Sequence, residues 1–471
     1  MRSLFFISCS VFFLAACTPA IDSIEAPVEE EAKRFSTDGE SLIPDKWWTA
    51  FGDAKLDSLV EKALGKNMNL ISVWQQVKAA KSIRKQQSTR LLPDINANAQ
   101  TAISRPEPDF AGGENTQIGL TANYEVDLWG RISANVQAEN FRFRASYYDY
   151  QAAAISLSAE VSNIYFQLKT AKRQLALANQ QIENNKRIIK LIRVRFGGGQ
   201  IKGVDILRQQ QLLEETKNRR ILYQTQIQTL KNQLAVLTGT PPQNFSIEVS
   251  DSFGEIPEKP KTGLPLELIR RRPDIQREYS ALLAADRDMA AAVRTKFPRM
   301  SLNLSAQARS NTYTNLFNNW AYTLGANLLA PILYWGRLRA EVDRTEAVKK
   351  QQLHQYGQSV LTAFQEVEDA LIREENQKKR IQIFEKRVEM AEKVSKQLRI
   401  EFLNGFTNYL DVLVSLDDQQ QLQRNLLEAK QLKYEYRIAL YRSLAGSFET
   451  ERENELEEKP TRESEEEPTN Q

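Results

Sequence analysis

The chain contains itself twice, and that duplication limits its fold more than any other feature. Trp129-Gly130-Arg131 recurs as Trp335-Gly336-Arg337, 206 positions later, and at the same offset Phe196 falls on Phe402, Gly199 on Gly405, Asp205 on Asp411 and Leu207 on Leu413. Upstream the offset is 205: Leu92-Pro93-Asp94 meets Phe297-Pro298-Arg299, and Ala79-Ala80 meets Ala284-Ala285. One residue has been gained between the two blocks, where strands and loops are placed. Each copy reads as one helical run, two alternating segments and two very long helical runs. Internal repeats decide architecture before local signals do, so the 471 residues are read as two halves of one body rather than three average domains.

In the alternating segments, Ile118, Leu120, Ala122, Tyr124, Val126 and Leu128 interleave with polar residues or glycine, and Trp320, Tyr322, Leu324, Ala326 and Leu328 repeat the pattern. Upstream partners are Ile95, Ala97, Ala99 and Ile103, then Leu302, Leu304, Ala306 and Ala308. Period two predicts strands, over about 94–105, 116–128, 299–310 and 320–332, forming two hairpins with polar connections. A soluble two-layer sheet gives the same alternation. Segments of about ten residues with one apolar face also match outer membrane barrel strands, and little sequence is left to cover such a face. A sheet in lipid must close on itself, and the smallest single-chain barrels have about eight strands. The barrel is therefore expected to be shared among several chains. Trp129, Trp335, Tyr334, Tyr124 and Tyr322, at strand ends, suit the boundary between lipid and water.

From Ile132 to Phe196 there is no proline or glycine. Leu157, Val161, Ile164, Leu168, Ala171, Leu175, Ala178 and Ile182 form a heptad seam that resumes at Ile189, Ile192 and Phe196, with Asn185 as its polar interruption. A helix of about 65 residues spans roughly 100 Å, too long for a compact domain. The second copy, from about Arg337 to Phe402, is interrupted only by Gly357 and keeps a weaker seam through Ile381, Phe384, Val388, Ala391 and Leu398. Each long helix turns at glycine, Gly197-Gly198-Gly199 or Asn404-Gly405, and a returning helix runs to Leu237 or Leu444. Two antiparallel helical pairs per chain result. A plain bundle or filament does not account for the interposed strands.

Residues 1–16 have a basic start, a short apolar core and small residues before Cys17, the pattern of a secretory signal too short to span a bilayer. Cys9 leaves with that signal, so Cys17 is the only thiol of the mature chain and no disulfide within it is possible. An unpaired exported cysteine at the first mature position points to acylation. Leu14-Ala15-Ala16-Cys17 resembles the bacterial lipobox, and Thr18 in place of aspartate implies the outer membrane.

The net charge of +3 and the absence of a basic, aromatic-laced stripe argue against nucleic acid. From Glu449 to Gln471 ten glutamates face Arg452, Lys459 and Arg462, and residues 448–471 are expected to be an acidic disordered tail. Catalysis is disfavoured by inventory. His354 is the single histidine, on a polar helical run, and no phosphate loop, cofactor motif or metal-spaced Cys/His cluster occurs. The expected work is conduction.

These residues together resemble the TolC-like outer membrane efflux proteins, in their lipoprotein branch of OprM and NodT type. Trp47-Trp48-Thr49-Ala50-Phe51-Gly52-Asp53-Ala54-Lys55-Leu56 is similar to that branch's opening segment, and Arg272-Pro273-Asp274-Ile275 to its central motif. The resemblance runs from Cys17 to about Gly446. It implies a homotrimer whose four strands per chain make one twelve-stranded barrel, continued by an α-helical coiled-coil tunnel across the periplasm. The division it implies is a lipid-anchored segment 17–65, a first repeat 66–239, an equatorial linker 240–270 and a second repeat 271–447. The implied partners are a periplasmic adaptor and an inner membrane pump of the resistance-nodulation-division class, with no cofactor. Small-molecule efflux is the first reading. A duct for a type I protein secretion system is the alternative.

Within that resemblance, the family's Asp-x-x-Asp gate spacing is half kept as Asp411-Val412-Leu413-Val414, with Asp417 and Asp418 as candidates for the second ring. Threefold symmetry would bring such carboxylates close and favour cations. The turns at Gly199 and Gly405 are the expected adaptor-docking tips, where bare helix ends expose backbone groups.

Overall fold

In a computed structural model the described residues are 34–103, 114–250, 253–263, 265–310, 313–318 and 320–456. The expected signal peptide, Cys17 and residues 457–471 lie outside them. Among the described residues the order is α1 (Ala54–Lys66), α2 (Met68–Ser88), β1 (Asp94–Ile103), β2 (Glu114–Val126), α3 (Arg131–Gly197), α4 (Gly203–Leu237), α5 (Pro265–Arg271), α6 (Pro273–Arg294), β3 (Arg299–Ser310), β4 (Trp320–Leu329), α7 (Arg337–Leu403) and α8 (Tyr409–Leu444). Helices α3 and α7 are 67 residues each, so each is about 100 Å long. No described helix is long and apolar enough to cross a membrane.

The chain divides into two compact units. One, built from 81–142 and 280–357, carries the sheet. Its strands lie in the order β1-β2-β3-β4, every neighbour antiparallel. The two expected hairpins are therefore joined through β2 and β3 into one meander, with β1 and β4 as free edges. One face shows Ile95, Leu120, Leu304, Tyr322, Leu324 and Leu328 to the outside. The other carries polar side chains such as Gln117, which donates to Gln307 (2.5 Å), while Thr101 and Thr116 bond each other (3.1 Å) at the far end of the apolar face. An apolar outer face over a polar inner one is the arrangement a barrel in lipid requires.

Among the described residues the second unit comprises 34–80, 143–279 and 358–456. Its core gathers Trp47, Trp48 and Phe51 with Leu56, Val60 and Ala63 of α1, Trp74 of α2, Phe166 and Leu168 of α3, and Tyr434 and Tyr441 of α8. Trp47 stacks on Tyr441 (5.9 Å) and donates to Ser158 Oγ (3.1 Å). The linker joins this core through Phe245, Ile247, Val249, Phe253 and Ile256. Gly239 has φ +62, and a Cβ there would lie 2.3 Å from Lys66 O, so only glycine fits the turn out of α4.

One expectation needs correction. Residues 448–456 are not part of a disordered tail: Phe448 and Leu456 pack in the core, and Glu453 is 1% exposed. Its carboxylate accepts from Tyr147 Oη (2.8 Å) and Thr450 Oγ1 (3.2 Å), while Glu455 pairs with Lys78 (2.6 Å) and accepts from Trp74 Nε1 (3.2 Å). Charge counting missed the two apolar residues that pin the strap and the donors that satisfy Glu453 and Glu455.

Candidate functional site

The candidate gate and docking residues lie in the second unit, where α3 turns into α4 and α7 into α8. Gly199 and Gly405 take φ +67 and +82, and a Cβ at either would meet nothing within 4 Å. Conformation, not crowding within the chain, selects glycine there. Arg195 joins the two turns. Its guanidinium donates to Phe402 O (3.3 Å) and Leu403 O (2.7 Å), carbonyls of the last turn of α7, and lies 5.1 Å over the Phe402 ring. A cation at a helix C-terminus is favourable both as donor and against the helix dipole. Ile192, Phe402, Tyr409 and Val412 close the small core behind this clasp.

Asp411 occupies the first turn of α8. Its backbone N–H donates to the capping Asn408 Oδ1 (3.2 Å), and its carboxylate accepts from Thr407 Oγ1 (2.7 Å). Its counterpart in the first copy, Asp205, holds the same place on α4 and accepts from the Lys202 backbone (3.4 Å). Both members of the repeat pair thus sit in the first turn of a returning helix, Asp205 accepting from the backbone that precedes it and Asp411 held by Thr407 behind the Asn408 cap, a role the sequence reading did not assign. Asp417 and Asp418 lie elsewhere, exposed in a groove of about 1000 Å³ between α4 and α8, opposite Arg208, Glu215 and Arg219. The structure brings these two carboxylates together and sets Asp411 apart at the helix start. Val414 lines the same groove and is exposed.

Behind the tips runs a buried amide network. Gln209 and Gln420 both donate to Asn185 Oδ1 (3.2 and 3.0 Å), Asn185 Nδ2 donates to Thr216 Oγ1 (3.1 Å), and Tyr409 Oη donates to Gln209 Oε1 (2.6 Å). Arg424, also buried, donates to Gln181 Oε1 (3.1 Å), and Gln174 donates to Arg424 O (2.9 Å). Burial pushes the Tyr409 hydroxyl up, with Asp205 adding to the effect, so it stays a neutral donor. The interruption at Asn185 is therefore the hub that ties α3, α4 and α8 together. Only the break in the heptad pattern signalled it.

Two quoted motifs have structural work in the same unit. Arg272 forks onto Asp274 (3.0 and 2.6 Å), Glu366 (2.7 Å) and Ser443 O (3.2 Å), linking α6 to α7 and α8. Asp53 caps α1 and accepts from Tyr165 Oη (2.7 Å) and the buried Lys169 ammonium (2.8 Å). No group of metal-ligating side chains occurs among the described residues.

Both copies match the family model described as outer membrane efflux protein, over residues 59–240 and 264–446. Over 96% of its length the chain is 29% identical to the pyoverdine export outer membrane protein OpmQ of Pseudomonas aeruginosa, 98% of which is covered. To the outer membrane protein OprJ of the same organism it is 27% identical, with 93% and 94% covered. The solved outer membrane channel OprN matches with a TM-score of 0.85 at 25% identity, over 92% of this chain and 99% of that one. The open-state MtrE outer membrane channel of Neisseria gonorrhoeae matches at 0.83 and 25%, over 91% and 98%. With each half of the duplication matched in turn, the chain belongs to the outer membrane efflux protein family.

Proposed function

We propose that this protein is the outer membrane exit duct of a tripartite efflux system, passing small molecules delivered by an inner membrane pump through a periplasmic adaptor. The observation that carries the reading is the four-stranded sheet, apolar outside, polar inside and open at both edges, on a chain that also holds two 67-residue helices. Four strands enclose nothing, so three copies supply a twelve-stranded barrel, and the long helices continue it as a tunnel. Of the named relatives, OpmQ is an outer membrane protein of pyoverdine export, and OprN and MtrE are outer membrane channels. Cys17 carries the lipid anchor, as an auxiliary tether beside a barrel that already holds the membrane. The tips at Gly199 and Gly405 receive the adaptor, and Asp411, Asp417 and Asp418 narrow the periplasmic end. The bond from Thr407 to Asp411 is compatible with that role, since the residue remains half-exposed.

Complementation tests the assignment. In cells lacking this chain, a fluorescent pump substrate should accumulate several-fold, and the full-length chain should restore export. Normal export without it would contradict the reading, and failure confined to a secreted polypeptide would favour a secretion duct. Globomycin treatment should raise the protein's mass by blocking signal removal; an unchanged mass would remove the lipid anchor.

A further inference from the structure

The two hairpins are copies in register as well as in sequence. Asp94 faces Asn123 in the first and Arg299 faces Leu329 in the second; Ile95 with Ala122 becomes Met300 with Leu328. The shift is 205 positions on the leading strand and 206 on the returning strand, the same two offsets that align the sequence copies. Pairing has thus been duplicated without a slip. Copy one meets copy two at β2–β3, where Ala122 faces Leu304. Trp129, just past β2, clamps that junction: its ring stacks on Phe297 at 5.1 Å, and its Nε1 donates to Pro298 O at 2.7 Å.

The converse junction, copy two against copy one, is not made within the chain, because β4 and β1 are the two edges of the sheet. The residues that would clamp it are bare. Trp335, the copy of Trp129, is 89% exposed, and Leu92, which stands where Phe297 stands in the second copy, is 64% exposed. Trp335 also has φ +50, the one positive value at a described non-glycine residue, a backbone setting disfavoured for so bulky a side chain. Beside it Ile332 is 92% exposed, and across the sheet Ile95 is 70% exposed.

Resting on the trimeric reading above, we propose that Trp335 closes the joint between subunits by lying on Leu92 and Pro93 of the partner subunit, with β4 pairing β1 in the register the duplication dictates. Applied to β2–β3, the two offsets place Leu328 opposite the partner's Ala99, Ala330 opposite the partner's Ala97 and Ile332 opposite the partner's Ile95. All three pairs join the apolar faces of both edges, whereas a slip of one residue would set apolar against polar positions. An even number of antiparallel strands per chain makes the new pair antiparallel too, so the ring closes without a parallel joint. β4 is then extended past Leu329, and the indole N–H of Trp335 meets the Pro93 carbonyl as that of Trp129 meets Pro298.

Cysteine pairs test this directly in membranes bearing the full-length chain. Leu328→Cys with Ala99→Cys, oxidised with copper phenanthroline, should give covalent dimers and trimers on denaturing gels, reversed by reductant and absent from either single variant. Shifted pairs, Leu328→Cys with Ala97→Cys or with Thr101→Cys, should link several-fold less. Preferred linkage of a shifted pair, or none while gels at low temperature still show trimers, would overturn the register. Absence of any such trimer from the unsubstituted protein would instead sink the trimeric reading itself. For the clamp, Trp335→Ala and Leu92→Ala should each cause several-fold loss of detergent-resistant trimer, the double variant should lose no more than either, and Trp335→Phe should retain most. Unchanged trimer resistance in Trp335→Ala would show that the indole only faces lipid headgroups.

Discussion

At the residue scale, two carboxylates in the helical unit respond to pH in opposite directions. Burial alone would raise the Asp53 carboxyl, but the Lys169 ammonium and Tyr165 hydroxyl outweigh it and hold that group below the usual carboxylate range. Its stabilisation is present above the ordinary aspartate value and is lost as pH falls through the lowered one. Asp53→Ala leaves the Lys169 charge buried and should cost roughly 3–5 kcal/mol, read as a lower unfolding midpoint by circular dichroism; an unchanged midpoint would show the pair is idle. Glu453 is the reverse case. Burial pushes its carboxyl up against the Tyr147 and Thr450 hydrogen bonds, so its contribution is greatest below the usual carboxylate range and declines as pH rises through the raised value. Amide exchange over 448–456 should accelerate from pH 5 to pH 8 beyond the intrinsic rate, and Glu453→Gln should flatten that dependence. An equal pH response in both forms would exclude Glu453 as its source.

At the scale of elements, the sequence was legible where a period was kept. The seam from Leu157 to Ile192 marked α3 because nearly all its members are buried. The weaker seam of α7 is half-exposed at Ile381, Phe384 and Val388, as expected of a helix whose remaining partner is another subunit. Position in three dimensions was not legible: nothing in the spacing tells that Arg195 reaches the end of α7, or that Tyr409 anchors on Gln209. Asn185→Leu should strand Gln209 and Gln420 and cost about 1–3 kcal/mol for each amide left unpaired, measured as a lower denaturation midpoint. A gain in stability would mean the network is dispensable to folding. Gly405→Ala should cost about 1–2 kcal/mol through its left-handed backbone alone, since space for the methyl is open. An adaptor-binding loss in Gly405→Ala much larger than in Gly199→Ala, at equal trimer abundance, would assign docking chiefly to the second tip; equal losses would assign it to both.

At the scale of the whole molecule, duplication, export and alternating strands foretold a shared barrel joined to long helices. They did not foretell the clamp at Trp129, because its acceptor, Pro298, comes from the other copy. The acidic strap was misread for a related reason: composition averages over residues 448–471, while packing depends on Phe448 and Leu456 individually. What remains central is that three copies of this chain form an open path rather than a scaffold. Single-channel recording of the purified trimer in planar bilayers tests that most directly. The account predicts discrete conductance steps, favouring cations, with selectivity reduced in a variant carrying Asp411→Ala, Asp417→Ala and Asp418→Ala together. A trimer that inserts but passes no current under any voltage or pH would contradict it.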